Sequence, residues 1–170
     1  MDIKPLTYNG RDEGISVSLT TILKPGDDGS KISEAVVNLF PEASFDSMEE
    51  ESFPSLQNMT IECLNLSLET FLAQIRQQAI LDTAMDAMAK NLDGNTTQFS
   101  ISRLAAFANK IAFTNEGTPL GGCFTIRLEG SGLGDWIEAA TWHNGRQEIP
   151  RQLHDELAML QDGEASTWHQ

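Results

Sequence analysis

The chain has 170 residues, 40% of them hydrophobic and 21% charged, with 11 Lys and Arg against 25 Asp and Glu and a formal net charge of −14. Those values fit one globular domain that buries a core without staples, and they exclude wholesale disorder. The acidic balance repels polyanions at long range, so a nucleic-acid role would need a local basic patch.

Taken along the chain, residues 1–14 are polar, lack the apolar stretch of a cleaved secretion signal, and read as a loose N-terminal arm. Ile15, Val17 and Leu19 alternate with Ser16, Ser18 and Thr20, the pattern of a half-buried strand. Pro25 to Gly29 breaks it, and Ser30 opens a short helix that Pro41 stops. Residues 41–57 carry Glu49, Glu50 and Glu51 and read as an acidic loop. A second strand spans Asn58 to Leu66, and Ser67 precedes what reads as one long helix, Leu68 to Leu92, closed by Asp93-Gly94-Asn95.

At ~100° per residue that helix changes its apolar face near Ile80. Leu68, Phe71, Leu72 and Ile75 lie on one side, and Leu81, Ala84, Met88 and Leu92 lie almost opposite. Unless it kinks there, its second half needs its own cover, either the C-terminal segment or another subunit. Thr97, Phe99 and Ile101 then form a third strand; Phe107, Ile111 and Phe113 form a fourth after a bend at Leu104 to Ala106. A hairpin at residues 115–122 leads to a fifth strand through Phe124, Ile126 and Leu128. Short helical segments follow around Asp135 to Ala140 and over Leu153, Leu157 and Leu160, and residues 161–170 read as a frayed tail. The expectation is an α+β fold in the order β-α-β-α-β-β-β-α. It is one domain over residues 15–160, with a mainly antiparallel sheet and helices on one face.

Three segments carry a family resemblance: EAVVNLFPEA at 34–43, QIRQQAILDTAMDAM with GNTTQFSISRLAAFANKIAF across 74–113, and TPLGG at 118–122. Together they resemble an archaeal uncharacterised protein family, the 0201 family, also labelled predicted RNA-binding or exosome-associated. The resemblance covers roughly residues 15–140. It implies a fold similar to the ribosomal large-subunit protein that binds 5S RNA, and a homodimer. Where the family pattern has arginines flanking ILDTA, this chain has Ala79 and Met85; the polar bend of the family is here Ser102-Arg103-Leu104.

The chemistry-bearing residues are sparse. Cys63 and Cys123 stand far apart, outside any CxxC pair, and read as small hydrophobes in a reducing cytosol. His143, His154 and His169 lie at no metal-ligand spacing, so neither metal nor cofactor is expected. Gly130, Gly132 and Gly134 lack the strand-before, helix-after setting of a phosphate loop. Asp82 and Asp86, one helical turn apart, with His143 are the only candidates for a small-ligand or enzymatic site. By strand phase the sheet face away from the core carries Ser16, Ser18, Thr20, Thr60, Glu62, Gln98, Ser100, Lys110, Thr125 and Arg127, with no ring for bases to stack on. An RNA site would use Arg76, Arg103, Lys110 and Arg127. The expected function is non-enzymatic: a cytoplasmic protein acting through contacts with an RNA-processing protein. Any RNA binding would be weak, with no DNA and no membrane contact. The alternatives are a genuine structured-RNA binder and the ligand site near Asp82.

Overall fold

The computed structural model of the protein describes residues 8–43, 59–114, 121–143 and 145. Among them a 3-10 turn at Arg11–Glu13 precedes β1 (Ser16–Leu23), α1 (Gly29–Leu39), β2 (Met59–Cys63), α2 (Glu69–Gln77), α3 (Leu81–Lys90), β3 (Thr96–Ser102), α4 (Arg103–Phe107), β4 (Phe113–Thr114), β5 (Cys123–Glu129) and α5 (Leu133–Ala140). The strands form one antiparallel sheet in the order β2-β1-β5-β3-β4.

Period-two alternation decides which face of that sheet is dry. Val17, Leu19, Thr21 and Leu23 of β1 are buried, while Ser16, Ser18, Thr20 and Ile22 point the other way. The register places Cys63, Leu19, Ile126 and Phe99 in one row across four strands, all of them core. Phe71 of α2 is enclosed by the rings of Phe40, Phe99 and Phe113, stacked on Phe40 at a centroid distance of 5.8 Å. Each such fully buried side chain contributes about 1.5–3 kcal/mol relative to exposure. The α+β class, the antiparallel sheet and the apolar row of each strand follow the sequence pattern.

Several expectations are corrected. The helix expected over Leu68 to Leu92 is two helices. Ala79 adopts a left-handed φ of 58°, Ile80 N–H donates to Ile75 O and Ala79 N–H to Arg76 O, both at 3.1 Å. This is the hydrogen-bond pattern of a Schellman C-cap, with alanine where glycine usually sits. Gln78 holds the break in place: its Oε1 accepts from Ile111 N–H at 2.8 Å and its Nε2 donates to Ile111 O at 2.9 Å. The change of apolar face is therefore the helix end itself. Leu81, Ala84, Met85 and Met88 of α3 are buried within the chain, against β3 and α5, and need no second subunit.

The fourth strand is shorter than expected. Phe107 ends α4 rather than joining β4, because the Ser102 side chain caps a helical turn by accepting from Ala105 N–H at 3.1 Å. Asn38 of α1 clasps the same turn through the carbonyls of Ala106 and Phe107. In α1, Asp28 rather than Ser30 is the N-cap, accepting from Ser30 and Lys31 N–H. Residues 8–14, read from composition as part of a loose arm, form a docked turn. Glu13 Oε1 accepts from Asn9 N, Gly10 N and Trp136 Nε1 at 2.8–3.0 Å, and Arg11 bonds Asn65 O and Glu42. Most of the acidic loop, residues 115–120, the segment from Leu153 to Leu160 and the tail lie outside the described residues.

Candidate functional site

The face of the sheet turned away from the helices is uncovered among the described residues. Across all five strands one row runs Glu62, Thr20, Thr125, Ser100, Thr114, with the hydroxyls of Ser100 and Thr125 3.4 Å apart. The next row holds Ser18, Arg127 and Gln98. Ile22, 52% exposed, is the large apolar side chain of β1 on this side. The outward list read from strand phase therefore holds, with one exception: Lys110 lies beyond α4, outside any strand, and is exposed there.

At one end of this face a cleft of about 700 Å³ opens between Thr20, Ile22, Thr60, Cys123 and Thr125 and reaches down to Arg103. Arg103 is only 8% exposed. Its Nε donates to Gly121 O at 2.8 Å, its Nη1 to Thr21 Oγ1 at 2.8 Å and Ile22 O at 2.9 Å, and its Nη2 meets Asp27 Oδ2 at 3.3 Å. The guanidinium thus ties the end of β1, the loop before α1 and the entry to β5 into one corner. Gly122, at φ +83°, passes so close that a β-carbon there would overlap the guanidinium. Nothing in the spacing of Thr21, Asp27, Arg103 and Gly122 announced this corner.

The four cations considered for RNA do not converge. Arg103 is engaged by the chain's own acceptors. Arg127 is exposed on the open face, 3.6 Å from Glu129. Arg76 is exposed on α2, on the helical side, and Lys110 immediately precedes the Ile111 that Gln78 holds.

The structure does bring two of the ligand-site candidates together. His143 Nε2 lies 3.0 Å from Asp82 Oδ1, with side chains 33% and 41% exposed. Both line a second cavity of about 390 Å³, at the break between α2 and α3, that also takes in Arg76 and Thr83. Asp86, one turn further along α3, does not line it.

The glycines at 130 and 132 serve the backbone. Gly130 allows close packing, since a β-carbon there would lie 2.6 Å from Gly14 O, and Gly132 starts α5 at φ 72°. Trp136 is 7% exposed and packs edge-on to Tyr8; Trp142 is exposed. Burial, with a smaller push from Glu62, holds the Cys63 thiol above its ordinary pKa, and Cys123 is half-exposed in the cleft. Among the described residues no three His, Cys, Asp or Glu side chains are grouped to hold a metal ion, and no helix is long and apolar enough to cross a membrane.

No family model matches the chain. It is 32% identical over 124 residues to a UPF0201 protein of Sulfurisphaera tokodaii, covering 70% of this chain and 83% of that relative. It is 33% identical over 111 residues to a UPF0201 protein of Methanopyrus kandleri, covering 62% and 69%. Its fold is similar to the crystal structure of a UPF0201 protein from Methanococcus jannaschii, with a TM-score of 0.61 at 22% identity, over 76% of this chain and 96% of that one. Identity and coverage against the Sulfurisphaera relative place the chain in the UPF0201 family.

Proposed function

We propose that this protein is a non-enzymatic binding protein of the cytoplasm that works through the open face of its sheet. It contacts protein in an RNA-processing setting, self-associates as a homodimer, and touches RNA weakly or not at all. The observation that supports this reading is the composition of that face. In a chain of net charge −14 the row from Glu62 to Thr114 has one charge and four hydroxyls. Arg127 in the neighbouring row supplies the opposite sign. Such a surface can approach another protein, or a second copy of itself, without the repulsion that the rest of the chain creates.

The RNA-processing setting is what the family resemblance implies, together with the fold likeness to the 5S RNA-binding ribosomal protein that it carries, and a fold alone does not carry a function. Among the described residues the face lacks the aromatic rings that hold single-stranded bases at ~1–3 kcal/mol each, and Arg103 is occupied. Fluorescence anisotropy with structured and single-stranded RNAs, at low and physiological salt, tests the RNA half. The expected result is a Kd near 10⁻⁴ M or weaker at physiological salt, the level of non-specific binding. Tight binding that is abolished by Arg127→Glu would instead make the protein a genuine structured-RNA binder. Sedimentation velocity tests the other half: a dimer that Thr125→Arg converts to monomer is expected, and a wild-type monomer at every concentration would remove self-association.

A further inference from the structure

The cavity at the α2–α3 break lies on the helical side of the molecule, away from the open face, and shares no residue with it. Its volume of about 390 Å³ falls at the small end of the range for ligand sites, ~300–1,000 Å³. Its polar lining is Arg76, Asp82, Thr83 and His143. Arg76 is exposed, and its guanidinium makes no ion pair or side-chain hydrogen bond among the described residues; the same holds for the Thr83 hydroxyl. The acceptor in the cavity, Asp82, is directed at His143, 3.0 Å away, and fixes the orientation of the imidazole. The His143 ring faces Asp82 through Nε2 and lies against Gly145 on its Nδ1 side. The wall beside these groups, Ala79 to Leu81, is apolar, and Ala79 is held there at φ 58°. An alanine in the left-handed region is a strained position of the kind that clusters at ligand sites.

We propose that this cavity binds the phosphate group of a small phosphomonoester. Donors on two separate side chains, Arg76 and Thr83, suit a tetrahedral oxyanion whose oxygens point in different directions. A planar carboxylate would be satisfied by the guanidinium fork alone. Ile80 and Leu81 face the organic part, so an ester fits the site better than the bare ion.

The test uses the full chain, titrated with phenyl phosphate, inorganic phosphate and acetate. Calorimetry gives the affinity, and amide chemical shifts locate the site. Saturable binding is expected in the order phenyl phosphate, inorganic phosphate, acetate, with shifts confined to residues 76–83 and 141–145. Arg76→Gln and Thr83→Val, both at exposed positions, should each weaken phenyl phosphate by about tenfold or more, the size of one charge-assisted hydrogen bond. Arg127→Gln, on the opposite face, should leave it unchanged. Shifts scattered over the surface, or equal losses in Arg127→Gln and Arg76→Gln, would mean screening of general charge and overturn the site. Acetate binding as tightly as phosphate would overturn the ligand class, and absence of saturable binding would overturn both. None of these outcomes touches the reading of the open face.

Discussion

Arg103 and Gly122 form a pair that neither residue explains alone. Removing the guanidinium with Arg103→Met leaves the carbonyls of Ile22 and Gly121 without their donor, at an expected cost of about 3 kcal/mol. Gly122→Ala adds both a left-handed alanine and an overlap with the guanidinium, together about 2–3 kcal/mol. When Gly122→Ala is made on top of Arg103→Met, only the backbone share should remain, about 1–2 kcal/mol, so urea denaturation of the double-mutant cycle should show coupling near 1 kcal/mol. Additivity would mean that the two do not meet. The cysteines give a second check at this scale: Cys123 should react with a thiol reagent well before Cys63, whose burial suppresses the thiolate. This corner was not legible in the sequence. Its partners lie 18 to 82 positions from Arg103, and a lone arginine after a strand reads equally well as surface.

The elements were legible wherever a side chain's partner is set by periodicity. Alternation in β1, β3 and β5 gave both faces of the sheet, because pleating leaves no other choice. The switch of apolar side near Ile80 was a true signal, but it marked a helix end that no glycine or proline announces. The termination is carried by Gln78, which bonds Ile111 33 residues away, and by Ala79 in a conformation that alanine disfavours. Ala79→Gly should therefore stabilise the protein by roughly 0.5–1 kcal/mol, since the left-handed penalty outweighs the extra freedom glycine has in the unfolded chain. Thermal unfolding reads this directly, and a loss of stability would mean that the cap is not formed as described. Asp82 and His143, 61 positions apart, were grouped from the sequence as candidates for one site, whereas their direct contact is set by tertiary folding.

For the molecule as a whole, charge and topology dominate. A net charge of −14 repels itself in the compact state, and added salt screens that repulsion. Tm should rise between low and molar sodium chloride by about 2–4 °C, the equivalent of ~1 kcal/mol at this chain length; an unchanged or falling Tm would mean that local pairing already balances the charge. Topology acts differently. β5 sits between β1 and β3, yet it follows both in the chain. As the polypeptide leaves the ribosome, everything up to Gly122 can pair the sheet only as two separate pieces, β1 with β2 and β3 with β4. Each piece presents a row of open backbone donors and acceptors toward the gap. The nascent chain therefore carries two unsealed edges until Glu129 has cleared the exit tunnel, the interval in which it is most open to mispairing with a neighbouring chain. The last of the five strands to be synthesised is the one that joins the two fragments into a single sheet.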